Sequence, residues 1–422
     1  MRNFTIFYFL LLSFFLEPLH NLAPAQAKTV VSENRSAVYT KYMSSGSTGN
    51  DCLQQAGVEI RSRLLGATAC AENSVPARYI VSLETALHDY EKLATSGGWE
   101  AFPAGKSIKL NNQDQRVPTL RKILKTMGDN PDDAALDSDI LDAQLSEAVK
   151  KFQLRHGLEP DGAVGKQTQS ALAVPVQARI VQMQKTLEKM RDMQVIGGFG
   201  DRYILVNVAG FYLQAVDKDL PTINSKIIVG NRQNHTPLFQ SMITEVSFNP
   251  PWYVPERIAR EEIIQKQRED PEFLSKGNYM VTTRDGKIID HDAVDWNNVD
   301  ASPYRFTQRA GEKSALGKVK FNLPDTDNIY LHSTGTPKLF AKAQRAFSHG
   351  CIRVEKAREL IDFVLKGQEG WDAERIAKFY DGSASRIISV TAPPPVYLVY
   401  WTSWVDESSN RPYFYQDIYA KY

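Results

Sequence analysis

The sequence predicts a multi-domain α+β protein in which helical segments and a small three-helix unit precede a β-rich domain. Three observations carry that expectation. The chain has 422 residues, too many for one ordinary domain. Its apolar residues recur at helical spacing as far as residue 195, then switch to strand-like runs after Gly197-Gly198. Hydrophobic residues make up 42% and charged residues 23%, as in globular domains. A net charge of +1 gives no basic surface for nucleic acid. No glycine-rich phosphate loop or His-Glu-x-x-His zinc pattern is present, and the histidines lack metal-ligand spacing, so no cofactor is expected.

Residues 1–27 read as an export signal. Arg2 precedes an apolar run from Phe4 to Leu16, and Ala25-Gln26-Ala27 supplies a small-x-small cleavage site. The run is short of the roughly 20 residues a membrane span needs. Export to an oxidising compartment is therefore expected, with membrane contact only through an uncleaved signal. The cysteines are Cys52, Cys70 and Cys351; the first two are close enough in sequence to pair, leaving Cys351 free.

Residues 28–50 are polar and aperiodic, a flexible linker. Residues 51–115 form a helical region, with a helix running through Ile80–Leu93 and ending at Gly97-Gly98. In residues 116–176, Val117, Leu120, Ile123 and Leu124 mark one amphipathic helix, and Leu145, Ala148, Val149 and Phe152 a second. The turn Asp161-Gly162-Ala163-Val164-Gly165 leads into a third, from Thr168 to Leu172. Residues 177–200 hold a connecting helix whose methionines sit at packing positions. The β-rich domain spans 201–390, beginning with strands at 203–208, 211–216 and 226–229.

Residues 250–317 depart from a compact sheet. Asn249-Pro250-Pro251-Trp252-Tyr253-Val254-Pro255 is a rigid turn, followed by a polar helix over 256–268 and a hairpin around Asp285-Gly286. Residues 391–422 suggest a final hairpin between 397–405 and 413–419.

The chemistry concentrates in Ser348-His349-Gly350-Cys351-Ile352-Arg353, with His332 upstream in Ile329-Tyr330-Leu331-His332-Ser333. Cys351 is a thiol nucleophile, and an imidazole can deprotonate it. Gly350 leaves room for a carbonyl to approach backbone N–H groups as an oxyanion hole. The residues from Val354 to Leu365 read as a helix, which places Cys351 just before a helix N-terminus, a position that favours thiolate. Two histidines compete for the role of base. His349 is two residues from Cys351, and His332 ends a strand-like run 351 − 332 = 19 positions upstream.

This ordered set resembles the signature of the L,D-transpeptidase family, with its YkuD-type catalytic domain. The string from Ala148 to Gly162 resembles the small helical peptidoglycan-binding domain. The insertion and the C-terminal segment are similar to those of large Gram-negative members, where 250–317 is a lid over the cleft. The resemblance implies that His332 is the base, oriented by a backbone carbonyl such as that of Ser333. It implies that Gly350 and Cys351 N–H groups bind the oxyanion, and that Tyr330, Ser348, His349, Arg353 and Trp252 line the site. The implied reaction forms 3→3 crosslinks between peptidoglycan stem peptides in the periplasm, through a cysteine thioester and without a cofactor. The implied partners are stem peptides as donor and acceptor, and carbapenem β-lactams as covalent inhibitors. Two other acceptors suit the same chemistry: a protein amine, attaching that protein to the wall, or water, giving a carboxypeptidase or amidase.

Overall fold

The computed structural model describes residues 75–421 except 131–135, 196–198, 219, 300–302, 312, 325, 327 and 407–408. The expected signal, the 28–50 linker and the Cys52–Cys70 pairing lie outside these residues. Among the described residues, no helix is long and apolar enough to cross a membrane.

Helix α1 (Val75–Thr95) lies ahead of a three-helix unit made of α2 (Val117–Thr126), α3 (Ala143–Arg155) and α4 (Lys166–Leu172). The apolar stripes predict this unit: Val117, Leu120, Leu124, Leu145, Val149, Phe152 and Leu172 form its buried core. Asp142 caps α3 by accepting from Leu145 N at 2.8 Å. Helix α5 (Val176–Val195) packs beside α1, and both bury Leu83, Met183, Leu187 and Met190 against the β-domain residues Tyr203, Leu205, Tyr397 and Trp401. The methionines of α5 are thus packing residues.

The first strands, β1 (Arg202–Asn207), β2 (Tyr212–Asp217) and β3 (Leu220–Gly230), make an antiparallel meander. They are followed by β4 (Gln240–Met242), β5 (Glu245–Phe248) and β6 (Trp252–Tyr253). The chain then enters the insertion: α6 (Glu256–Ile258), a π turn (Ala259–Ile263), α7 (Ile264–Glu269), α8 (Phe273–Lys276), β7 (Tyr279–Thr283), β8 (Ile288–Ile289) and β9 (Tyr304–Gln308). The expected polar helix and the Asp285-Gly286 hairpin are both present. The hairpin belongs to a separate four-stranded sheet, ordered β6-β9-β7-β8. Ile263, Leu274, Val281, Trp296 and Phe306 give this insertion its own core.

The chain returns through β10 (Val319–Asn322), β11 (Tyr330–His332), β12 (Ala346–Ser348) and β13 (Ile352–Val354). It then forms α9 (Ala357–Val364), α10 (Ala373–Asp381), β14 (Arg386–Ser389), β15 (Pro395–Val399), β16 (Ser403–Asp406) and β17 (Arg411–Phe414). The main sheet runs β14-β5-β10-β11-β13-β3-β2-β1-β15-β4, with β12 beside β3.

Two expectations are corrected. The helix expected to start just after Cys351 starts at Ala357 instead, because β13 comes between. Ile352 and Val354 are buried on one face while Arg353 points to the other, a period-2 pattern that packs between β11 and β3 and overrides the helical reading. Cys351 therefore gains no helix-terminus potential. The expected final hairpin is also shorter. Residues 395–399 join the main sheet beside β1 in parallel, and the hairpin is β16–β17 alone. Val396 and Leu398 are drawn into the sheet's core, which offers more burial than a terminal hairpin.

Candidate active site

Register builds the site. In the parallel pair β11–β13, Leu331 lies opposite Ile352 and His332 opposite Arg353. One step earlier, the same register sets Tyr330 opposite Cys351. Successive side chains alternate between faces, so Tyr330, His332, Cys351 and Arg353 share one face while Leu331 and Ile352 enter the core on the other. On the other side of β11, antiparallel β10 places Lys320 opposite His332 and Asn322 opposite Tyr330. Next to it, β5 places Ser247 opposite Lys320 and Glu245 opposite Asn322. One face of four adjacent strands is thus polar, while the opposite face carries Val246, Phe248, Val319, Phe321, Leu331 and Ile352.

Cys351 is half-buried and free, and its Sγ donates to the Asn328 carbonyl at 3.5 Å. Burial is the largest influence on the thiol and pushes its pKa up, against the Tyr330 N–H and hydroxyl and the positive charges of Lys320 and Arg353. His332 is 5% exposed. Burial, then the charge of Arg353, pushes its pKa down to about 3, although the carbonyls of Ser333 and Leu316 act to raise it. Those carbonyls fall short of full hydrogen-bond geometry, leaving His332 Nδ1 buried without a partner. At neutral pH the resting pair is therefore a thiol and a neutral imidazole. The low-pKa thiolate expected from a helix terminus is absent, because neither that helix nor an imidazolium is there to stabilise it.

Ser333 holds the strand end that carries His332. Its Oγ accepts from the N–H groups of Lys318 (2.7 Å) and Val319 (3.0 Å) and donates to the Leu316 carbonyl (3.1 Å). Gly317 fits against this knot at φ +64°, where a Cβ would lie 2.5 Å from Ser333 Oγ.

The nucleophile's turn is tied from behind. Ser348 is buried; its Oγ donates to the Cys351 carbonyl at 2.6 Å and accepts from Gly350 N at 3.1 Å. Ser348 thus shapes the turn instead of lining the cleft, and the Gly350 N–H expected at the oxyanion is engaged in that turn. Gly350 adopts φ +122°, a conformation side chains resist. Its carbonyl accepts from Thr236 Oγ1 at 2.8 Å, and Thr236 Oγ1 accepts from Gly230 N at 2.9 Å. Tyr419 donates to the Gly230 carbonyl at 2.6 Å and accepts from Thr236 N at 3.1 Å.

The insertion reaches the same place. His349 Nε2 lies 2.5 Å from Glu262 Oε1 of the π turn, so this histidine faces a carboxylate of the insertion. Burial favours the protonated Glu262, but Lys266 and His349 outweigh it and hold the carboxyl below its ordinary pKa. The Trp252 indole and the Cys351 thiol both lie near the Tyr330 hydroxyl, whose pKa burial pushes up. Lys320 Nζ sits 4.2 Å from the centre of the Tyr330 ring. Arg353 is half-buried and forms no ion pair among the described residues; its nearest polar partner is Thr336 Oγ1 at 3.5 Å.

Sequence reasoning missed Thr236, Tyr419, Glu262, Lys320 and Glu245. Only the alternation Val319-Lys320-Phe321-Asn322 carried a signal, since a polar residue between buried ones marks the second face of a strand. No group of three or more His, Cys, Asp and Glu side chains able to hold a metal occurs among the described residues.

Residues 201–373 match the family model described as "L,D-transpeptidase catalytic domain", and residues 113–172 match "Putative peptidoglycan binding domain". The chain is 36% identical over 236 residues to a "Putative L,D-transpeptidase" of Haemophilus influenzae, a match covering 55% of this chain and 47% of that protein. The chain thus spans about half the length of that relative. Among solved structures, an L,D-transpeptidase (residues 123-326) of Xylanimonas cellulosilytica is 15% identical, covering 70% of this chain and 99% of that one at a TM-score of 0.23. The L,D-transpeptidase of Mycobacterium smegmatis is 12% identical, covering 47% and 58%, also at 0.23.

Proposed function

We propose that this chain, whose residues 201–373 match an L,D-transpeptidase catalytic domain and residues 113–172 a peptidoglycan-binding domain, is an exported enzyme that forms 3→3 crosslinks in periplasmic peptidoglycan. Cys351 Sγ attacks the carbonyl that precedes the terminal D-amino acid of a tetrapeptide stem. His332 takes the thiol proton and delivers it to the departing amine, so D-alanine leaves and a thioester remains. The side-chain amine of a second stem then attacks the thioester carbonyl. The C–S bond breaks, an amide forms, and the amine's proton returns to Cys351 through His332. The thioester conserves the energy of the broken amide, so no nucleotide is required.

One observation carries this reading: the β10–β11–β13 register gathers Cys351, His332, Tyr330 and Arg353 on one face. A neutral imidazole on the same strand face as the thiol suits proton transfer in concert with attack. The Tyr330 hydroxyl, which lies near the thiol, and the Cys351 N–H are the oxyanion donors, since the Gly350 N–H is engaged. Arg353, which forms no ion pair among the described residues, is the group for a stem carboxylate. The strained carbonyl of a carbapenem would acylate the same sulfur.

The test is mass spectrometry of muropeptides after incubating purified protein with tetrapeptide-rich sacculi. New 3→3 dimers support the proposal. Tripeptides without dimers would assign water as acceptor, and a protein bound to the wall through its amine would assign attachment.

A further inference from the structure

A cavity of about 450 Å³ lies where the three-helix unit, α5 and the C-terminal segment meet, and it shares no lining residue with the face that carries Cys351. Leu158, Val174, Val181 and Phe414 give it an apolar wall. Two polar side chains in the same lining are buried: Arg179 of α5, 7% exposed, and His156 directly after α3, 3% exposed. Phe414 joins them, since the Arg179 guanidinium lies over its ring at 4.6 Å from the centre and the His156 ring is 5.7 Å away. In Arg179, Nη1 donates to Gln182 Oε1 at 3.0 Å and Nη2 to the Ala171 carbonyl at 3.3 Å, while Nε has no hydrogen-bond partner. Gln182 is itself fixed by donating to the Thr402 and Tyr415 carbonyls, so the guanidinium is held in place. Arg179 forms no ion pair among the described residues. The ionisable groups acting on it are Tyr90, which burial keeps un-ionised at neutral pH, and Arg155, whose own charge is matched by Asp129. Lys185 and Asp417 add one charge of each sign to the lining, which leaves a cation in excess. Burial of that cation pushes the pKa of Arg179 down to about 10.

His156 has the opposite need. Its Nδ1 donates to the Phe152 carbonyl at 2.7 Å, and burial together with the charge of Arg179 keeps the ring neutral. Nε2 is then a lone-pair acceptor, and it is buried without a partner. A cation without an anion and an acceptor without a donor, in one small and otherwise apolar cavity, are complementary to a group that carries a carboxylate and an N–H on neighbouring atoms. We infer that this cavity binds the C-terminal residue of a peptide, its carboxylate on Arg179 and its amide N–H on His156 Nε2. The planar guanidinium fork matches the two carboxylate oxygens, and the apolar wall takes a small side chain. A phosphate dianion fits less well, since a single cation in excess would leave half its charge buried and unmatched. The site stands apart from the catalytic reading, because it needs neither Cys351 nor His332.

Calorimetric titration of the full chain tests the inference with four probes: N-acetylalanine, which carries both groups; N-acetylalaninamide, which lacks the charge; O-acetyllactate, in which an ester oxygen replaces the N–H; and inorganic phosphate. The expected result is that N-acetylalanine binds at least tenfold more tightly than the amide or phosphate, and at least fivefold more tightly than the ester. Arg179→Gln should weaken N-acetylalanine tenfold or more. His156→Phe keeps a ring against Phe152 and should bring N-acetylalanine down to the level of O-acetyllactate. Val181 is 47% exposed, so Val181→Trp fills the cavity from a solvent-facing position and should also weaken N-acetylalanine tenfold. Arg353→Gln removes the cation beside Cys351 and should leave this binding unchanged. Equal affinity for N-acetylalanine and its amide, no binding of either, or binding that Arg353→Gln abolishes and Val181→Trp spares, would overturn the assignment. The probe series and Val181→Trp decide the question even if a substitution of buried Arg179 or His156 fails to fold.

Discussion

The resting protonation state of Cys351 and His332 makes a quantitative prediction about thiol reactivity. Burial raises the thiol's pKa, and His332, pushed down to about 3, carries no charge with which to stabilise a thiolate. Even a thiol left at an ordinary pKa of about 8.5 is only about 3% ionised at pH 7. A thiol paired with an imidazolium, with a pKa near 6, would be about 90% ionised, a difference of roughly thirtyfold in alkylation rate. Iodoacetamide should therefore modify Cys351 slowly at pH 7, with a rate that climbs about tenfold per pH unit from 6 to 8 and no plateau. Tryptic mapping follows the peptide containing Cys351 separately from Cys52 and Cys70. His332→Ala should leave this alkylation profile in place while abolishing acylation by a carbapenem, because the imidazole acts on the thiol proton only during attack. An alkylation midpoint below pH 7.5, or one that His332→Ala raises by a unit or more, would refute a neutral resting pair.

Other perturbations follow from the packing. Asp129→Ala strands Arg155, which is buried and bonds both Asp129 and the Pro412 carbonyl of the C-terminal hairpin, and should cost about 3–5 kcal/mol in denaturant unfolding. Thr236→Val keeps the shape but unpairs Gly350 O and Gly230 N, about 1–3 kcal/mol for each buried group, and should slow carbapenem acylation more than it lowers solubility or expression. His332, with an ordinary pKa of 6.5 and about 3 in the fold, binds protons more readily when unfolded. Its contribution is therefore complete above pH 6.5 and is lost as pH falls toward 3, by up to roughly 5 kcal/mol. Buried His156, also depressed, adds a loss of the same sign, so the share of His332 is the difference between the unaltered protein and His332→Gln across that range.

Helices with strong apolar stripes were legible in the sequence because one face of each meets a core: Val117, Leu120 and Leu124 of α2, and Met183 and Met190 of α5. The nucleophile segment was legible because Ser348-His349-Gly350-Cys351 is local in the chain. What lay beyond reach was register. That Tyr330, rather than a more distant residue, meets the sulfur depends on β11 and β13 being parallel neighbours, which no local pattern announces. The helix misread at Val354 has the same origin. Val354 to Leu365 holds apolar residues at both helical and strand spacings, and only the gap between β11 and β3 decides that Ile352 and Val354 belong to a strand. Thr236, Tyr419 and Glu262 come from segments far apart in sequence, so their convergence on the nucleophile's turn is a property of the tertiary fold alone.

The most direct test of the proposed reaction is intact-mass and muropeptide analysis of the unaltered protein beside Cys351→Ala, each incubated with tetrapeptide-rich sacculi. The reading predicts a transient acyl adduct that maps to the peptide containing Cys351 and 3→3 dimers that accumulate with the unaltered protein, with neither appearing for a folded Cys351→Ala. Dimers formed by Cys351→Ala, or an adduct mapped to Cys52 or Cys70, would contradict it.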